Sequence, residues 1–145
     1  MEKNVEAFDV LLPYLTNSSS RIRAEAADAI KEIALEIGDN ALNSYHERDA
    51  VGAFLLGRFV RSESEEGVRS TLALGLGALK YQKAVPALIE ALSSPSSVVR
   101  GCVAWSLGHL RSKEALYHLT LTLLSDKDKD VKRRINEATT KISNS

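Results

Sequence analysis

The sequence predicts an all-α fold, an α-solenoid of about four stacked helical hairpins, and three observations support this prediction. The segment 68–79, VRSTLALGLGAL, returns 31 positions later at 99–110 as VRGCVAWSLGHL. Apolar residues recur at the three- and four-residue spacings of a helix, and no segment shows the two-residue alternation of a strand. An internal repeat of this length is typical of units that bury their apolar faces only against a neighbouring copy.

Each unit is predicted to be an A helix followed by a B helix, with polar residues between them that suit helix ends and starts. The A helices carry apolar patterns that include Phe8, Phe54, Leu88 and Leu119. The polar breaks fall at 17–20, 62–64, 93–95 and 126–128. The B helices open with Ile22-Arg23, Val68-Arg69, Val99-Arg100 and Val131-Lys132. We therefore predict a single domain, residues 1–145, with units at about 4–37, 38–81, 82–112 and 113–145.

The spacing of the units has one irregularity. From Arg69 to Arg100 is 31 residues, but from Arg23 to Arg69 is 46, so about fifteen extra residues lie around 38–47. The residues that follow Gly38 are typical of a helix stop and restart. Two interpretations remain open: an insertion on a functional face, as repeat proteins often carry, or a longer first B helix and a longer second A helix.

Composition limits the classes of protein to which the chain can belong. Its length of 145 residues suits one domain, and nineteen basic residues balance nineteen acidic ones. No overall field therefore attracts nucleic acid or anionic lipid. The single cysteine, Cys102, excludes an internal disulfide and suits a reducing cytoplasm. We find no signal peptide and no apolar run of about 18 residues for a membrane span, so we expect a cytoplasmic protein with no membrane partner.

The two strongest units carry a family resemblance. The patterns VRSTLALGLGALKYQKAVPALIEAL and VVRGCVAWSLGHLRSKEALYHLTLTL resemble HEAT repeats of the short, phycobilisome-lyase-like type, over residues 68–124 well and over the flanks loosely. The resemblance implies a right-handed stack of antiparallel helix pairs, with B helices on the concave side, used mainly to hold proteins. Lys31 and Thr140 replace the family's glycine in the outer units, which we interpret as caps with polar outer faces.

Small residues one turn apart predict close contacts between B helices. Ala73 precedes Gly77 by four residues, and Ala104 precedes Gly108 by four. Both pairs therefore share one face of a helix, where a partner helix can approach closely. Because glycine lowers helix propensity, we expect the packing to compensate for that loss.

Four basic residues occupy equivalent positions and are predicted to form a column across the stack: Arg23, Arg69, Arg100 and Lys132. One interpretation makes them a ladder for the phosphates of a nucleic acid. The other is a structural ladder, in which each side chain bonds polar groups of the neighbouring unit's turn, as the planar fork of arginine does well. We favour the structural interpretation.

The candidate partner-binding surface lies on the side of the B helices that the core does not use. We call it the B-helix face, and its four rows are Glu25, Asp28 and Glu32; Thr71, Leu74 and Ala78; Cys102, Trp105 and His109; Arg134, Glu137 and Lys141. Trp105 is the only tryptophan, and it either anchors a partner or covers the junction with the last B helix. Cys102 is likewise either exposed on this face or a buried small apolar residue.

Neither a catalytic residue nor a cofactor or metal site can be identified in the sequence. His46 and Glu47 form the only His-Glu pair, and no cluster of two histidines and one carboxylate is evident. Cys102 has no activating base that the sequence identifies. The string GLG at 75–77 lacks the third glycine of a dinucleotide fingerprint and the ending of a P-loop. We therefore expect no enzymatic activity and no cofactor.

The leading prediction is a scaffold that grips a protein segment on the B-helix face. Apolar contact is expected at Trp105 and Leu74, with basic residues of the partner near Glu25, Asp28 and Glu32. One alternative, which rests on the resemblance alone, is a bilin lyase or a chaperone-like auxiliary of a chromophore-bearing protein. Another is nucleic-acid binding along the basic column. We expect a monomer or a weak homo-oligomer.

Overall fold

Four successive helix pairs make up the part of the chain that the computed structural model describes, residues 2–37 and 45–145. The first pair is α1 (Glu2–Leu11), followed by a 3-10 turn (Leu12–Thr16), and α2 (Ser20–Ile37). The second is α3 (Tyr45–Gly57), extended by a π turn (Arg58–Ser62), and α4 (Glu66–Ala78). The third is α5 (Val85–Ala91) and α6 (Ser97–His109), and the fourth is α7 (Ala115–Ser125) and α8 (Lys129–Ser143). These residues contain no strand, which confirms the all-α prediction.

The B helices α2, α4, α6 and α8 pack side by side in chain order, and α1, α3, α5 and α7 each pack on the B helix of their own pair. This row of repeated contacts between neighbours is the predicted solenoid, which the structure confirms. The buried positions of α4 and α6 recur at the same spacing: Val68 and Val99, Leu72 and Val103, Leu76 and Leu107. Burial of each such side chain stabilises the fold by about 1.5–3 kcal/mol.

Glycines allow α4 to approach α6 and α6 to approach α8 closely, as the small-residue pattern predicts. A Cβ atom added at Gly77 would lie 2.7 Å from the Cα atom of Ser106 on α6. One added at Gly108 would lie 2.7 Å from the Cα atom of Ala138 on α8. The hydroxyl of Ser106 also donates a hydrogen bond to the carbonyl of Ala73, which ties α6 to α4 in the buried interior. The predicted close approach is therefore confirmed at both glycines.

The end of each central B helix shows the same backbone turn. Lys80 and Arg111, 31 residues apart, have φ angles of 55° and 52°, in the left-handed region. The amide of Lys80 donates to the carbonyl of Gly77, and that of Arg111 to the carbonyl of Gly108, both at 3.0 Å. Such bonds satisfy carbonyls that a helix end leaves without a partner. The repeat therefore extends from side-chain pattern to backbone geometry.

Part of the irregular spacing is explained by the length of the first B helix. Helix α2 has 18 residues, whereas α4 and α6 each have 13. This agrees with the interpretation of a longer first B helix. Residues 38–44 of the predicted insertion lie outside the described residues, so a functional role of that segment stays a prediction.

Candidate protein-binding face

Two stacked rings lie in the middle of the B-helix face. Trp105 and His109 are one turn apart on α6, with ring centroids 4.7 Å apart and an angle of 11° between the planes. Both side chains are partly exposed. Leu74 on the neighbouring helix α4 is partly buried against the core. Together they offer an aromatic and aliphatic surface to solvent, which suits contact with another apolar surface.

Two residues that were predicted to be on this face are buried. The expected exposure of Ala78 is wrong: the residue is 6% exposed, because a methyl group is too short to project beyond α2 and α6 on either side of α4. Cys102 is 8% exposed, which decides between its two interpretations. Burial raises the pKa of the Cys102 thiol, against the opposing charges of Arg134 and Lys31. The thiol is therefore protonated and weakly nucleophilic at neutral pH.

The first row of the face is acidic and exposed. Two carboxylates of this row pair with Lys31. The Nζ atom of Lys31 lies 2.9 Å from Asp28 and 3.2 Å from Glu32. Those two carboxylates remain 60% and 63% exposed, and among the described residues Glu25 pairs only with the largely exposed Arg21. One lysine between two acids leaves a local excess of negative charge, and exposed pairs of this kind are weak.

The last row of the face has mixed charge. Glu137 is exposed, and its Oε1 atom lies 3.0 Å from Nη1 of Arg133, one turn earlier on α8. The side chain of Arg134 passes over α6, because a Cβ atom added at Gly101 would lie 3.2 Å from its Cδ atom. Lys141 is partly exposed. The face therefore changes from acidic on α2, through apolar on α4 and α6, to mixed charge on α8.

Two residues of the basic column bind buried carboxylates of the next unit's turn. Arg23 donates from Nε and Nη2 to the two carboxylate oxygens of Glu63, at 2.8 and 3.1 Å. Arg100 contacts Asp126 in the same way, at 2.7 and 3.2 Å. A two-pronged contact of this kind is among the stronger hydrogen-bonding arrangements in proteins. These guanidinium groups are thus occupied in joining units.

The same contacts perturb the carboxylates. Burial acts to raise the pKa of Glu63, but hydrogen bonds from Arg23 and from the amide of Glu65 lower it on balance. The hydrogen bond from Arg100 lowers the pKa of Asp126 against the effect of burial, and the charge of Lys132 contributes to the lowering. Both groups are therefore ionised at neutral pH, so the unit junctions depend on charge.

An apolar strip on the outer side of α7 was missed by the sequence analysis. Tyr117, Leu121 and Leu124 follow one another at helical spacing and are 67%, 47% and 79% exposed. Leu124 falls within the apolar stretch that precedes the polar break at 126–128. It lies five residues after the fully buried Leu119, which places it about 140° further around the helix and away from the core.

In the described part of the chain no group of three His, Cys, Asp or Glu side chains could hold a metal ion. Within the same residues, no helix combines the length and apolar character that crossing a membrane requires.

Comparison with known proteins identifies the repeat. The family model described as HEAT repeats matches residues 53–139. No curated protein matches the chain. A crystal structure of an engineered protein is similar at 20% identity with a TM-score of 0.63, over 94% of this chain and 62% of the other. The complex of CpcE and CpcF of phycocyanin lyase from Nostoc sp. is similar at 18% identity with a TM-score of 0.58, over 95% of this chain and 65% of the other. This chain spans less than two thirds of either chain, and the likeness shows a shared fold.

Proposed function

The chain belongs to the HEAT-repeat family, and we propose that it is a non-enzymatic scaffold that binds a segment of another protein on the B-helix face. The stacked pair of Trp105 and His109 is the observation that carries this proposal. A tryptophan held in one orientation by its neighbour, and partly open to solvent, is the residue type most enriched among the anchors of protein interfaces. Leu74 widens the apolar area on the next helix.

The charges around this area define the partner's chemistry. The excess negative charge of Glu25, Asp28 and Glu32 favours basic residues at one end of the bound segment. The aromatic centre favours an apolar or aromatic side chain about two helix spacings, roughly 20 Å, from that end, because α4 lies between α2 and α6. Beyond it the mixed charge of Arg134 and Glu137 accepts polar residues of either sign.

A matched pair of alanine variants tests the proposed face. A partner is first isolated from native lysate and identified, and its affinity for wild type, Trp105→Ala and Tyr117→Ala is then measured by calorimetry. Tyr117 is an exposed aromatic residue on α7, outside the B-helix face. Trp105→Ala should weaken binding by more than about 1 kcal/mol, whereas Tyr117→Ala should not change it. The opposite pattern would move the site to the outer side of the array.

Charge reversal tests the expected orientation of the bound segment. The variants Glu25→Lys and Glu32→Lys, at two exposed positions, should mainly slow association and change its salt dependence, because exposed charges steer encounter more than they hold a complex. Stopped-flow measurements over a range of salt concentrations separate the association rate from the dissociation rate. An unchanged association rate would show that the acidic row does not face the partner.

A second function is supported only by the likeness to the phycocyanin lyase complex at 18% identity. Under this alternative the chain acts as a lyase, or as a chaperone-like auxiliary, for a bilin-bearing protein. Co-expression with a bilin and a candidate acceptor, followed by absorption spectroscopy of the purified proteins, tests it. Nucleic-acid binding along the basic column has less support, because Arg23 and Arg100 are occupied by carboxylates of the protein itself.

A further inference from the structure

The turn before each B helix contains one position with a shared role. It lies six residues before the basic residue of the column, and its occupants are Asn17, Glu63, Ser94 and Asp126. Each of these side chains accepts a hydrogen bond from the backbone amide two residues further along, at 2.9, 3.1, 3.2 and 3.0 Å in that order. The four positions are therefore equivalent in structure as well as in sequence.

At the middle junction this position lacks a carboxylate. Glu63 serves the arginine of the first unit and Asp126 that of the third, but Arg69 of the second unit faces the turn of Ser94. A serine hydroxyl is neutral and short, and it is already engaged with the amide of Ser96. In the described residues Arg69 makes no ion pair, so the junction between the second and third units has an arginine without the acid that its neighbours possess.

Arg69 nevertheless keeps the same donor arrangement as the other two arginines. In Arg23 and Arg100 the Nη1 atom donates to a carbonyl of the local turn, and the Nε and Nη2 atoms hold the carboxylate. Arg69 likewise uses Nη1 for the carbonyls of Phe59 and Glu63. Within the described residues its Nε and Nη2 atoms contact no acceptor, so the edge that would bind a carboxylate remains available.

A cavity of about 620 Å³ lies at this junction and contains both Arg69 and Ser94 in its wall. Phe59, Val60 and Val99 contribute apolar wall, and the guanidinium of Arg69 lies 4.5 Å from the centre of the Phe59 ring. This contact holds the guanidinium in place. The cavity thus combines a positioned cation with apolar walls.

The rim of the cavity selects among anions. Glu66 and Glu90 also line it, and both are exposed. Their negative charges oppose a phosphate, which carries about two charges at neutral pH. A single carboxylate on an apolar stem encounters less repulsion and gains contact with the apolar wall.

We propose that this cavity binds the side-chain carboxylate of an aspartate or glutamate from a partner protein segment, which pairs with Arg69 as Glu63 pairs with Arg23. It would be a second docking point of the scaffold, on the turn side of the array. No residue of the B-helix face lines the cavity, so this site and that face are tested separately.

Titrations of the full chain followed by nitrogen-15 NMR test the proposal. The probes are a capped pentapeptide with one glutamate between leucines, the same peptide with glutamine, and inorganic phosphate. The glutamate peptide should produce a saturable shift of the Nε–H signal of Arg69 and of the amide of Ser96. Neither the glutamine peptide nor phosphate should saturate these signals at the same concentrations.

Two variants of one residue provide the matched control. Ser94→Asp supplies the missing carboxylate from within the chain, as Asp126 does in the next turn, and should weaken binding of the glutamate peptide about tenfold or more. In Ser94→Asn the new side chain is as large as aspartate but carries no charge, so binding of the glutamate peptide should stay within about twofold of wild type. Both new side chains have an oxygen that can accept the hydrogen bond from the amide of Ser96, so the turn should form in both variants.

Several results would overturn the proposal. These are an equal response to the glutamine peptide, saturation by phosphate, or a response that survives Ser94→Asp. A response that disappears in Trp105→Ala would place the peptide on the B-helix face instead. If the glutamate peptide fails while Trp105→Ala still weakens the identified partner, the cavity proposal fails alone and the proposed function remains.

Discussion

Adding one methyl group at Gly77 should destabilise the stack, whereas the same change at Gly67, ten residues earlier in α4, should not. The Cβ atom at position 77 would lie 2.7 Å from the Cα atom of Ser106, well inside the 3.5–4.0 Å at which carbon atoms attract. Backbone atoms cannot rotate away, so α4 and α6 must separate by about 1 Å. Around Gly67, apart from its chain neighbours and the adjacent backbone of α4, no heavy atom lies within 4 Å of the added methyl group.

The magnitude follows from three effects. Overpacking costs about 1–3 kcal/mol, and strain on the hydrogen bond from Ser106 to Ala73 costs about 1 kcal/mol more. Replacing glycine by alanine in a helix returns about 1 kcal/mol. The net loss for Gly77→Ala is therefore about 1–3 kcal/mol, while Gly67→Ala should gain up to about 1 kcal/mol.

Urea unfolding followed by far-ultraviolet circular dichroism measures both variants against wild type. The unfolding midpoint of Gly77→Ala should fall, and that of Gly67→Ala should stay the same or rise. Equal midpoints for the two variants would refute the claim that B helices touch through glycine. A changed slope of the unfolding free energy against urea concentration would signal altered cooperativity. For such a variant the slope is given together with the midpoint.

Two further predictions concern charge and reactivity. Because the pKa values of Glu63 and Asp126 are lowered in the folded chain, the stability that they contribute is present above their ordinary values of 4.5 and 3.8 and is lost as the pH falls through the lowered values. Thermal unfolding over this acid range should show that loss of stability. Asp126→Asn should make stability depend less on pH in this range, and it should lower the free energy of unfolding at neutral pH by about 1–3 kcal/mol. The buried Cys102 thiol should react with a thiol reagent far more slowly in the folded chain than in urea, and equal rates would contradict its burial.

The fold was predictable because its signal is local and repeated. The recurrence of Val68 and Leu76 at Val99 and Leu107 predicts which side of each B helix is buried. Glycine at 77 can be interpreted without a structure, since a residue that weakens a helix must be compensated by packing. These inferences need only helical periodicity and the identity of small residues.

The candidate site was less predictable because exposure depends on the neighbouring helices. Ala78 lies on the same side of α4 as Leu74, but its short side chain is buried where α4 packs between α2 and α6. Leu124 is an apolar residue within an apolar helical pattern, and yet its side chain is exposed to solvent. In both cases the phase of one helix is known from the sequence, but the height and position of the adjacent helix are not.

The missing acid opposite Arg69 lies between these cases. The residues six before each column position follow the same repeat as the column itself, so the replacement of an acid by Ser94 is visible in the sequence. What the sequence does not contain is the pairing rule that each arginine reaches the turn of the next unit. That rule requires the contacts of Arg23 with Glu63 and of Arg100 with Asp126.

The most direct test of the B-helix face uses the single tryptophan of the chain. Labelled with 5-fluorotryptophan, the protein should give one fluorine-19 NMR signal, from Trp105. Saturation with an unlabelled partner, at a concentration fixed by calorimetry, should shift this signal and protect it from a soluble paramagnetic reagent. A signal with unchanged position and unchanged protection in the saturated complex would contradict the claim that the partner lies on this face.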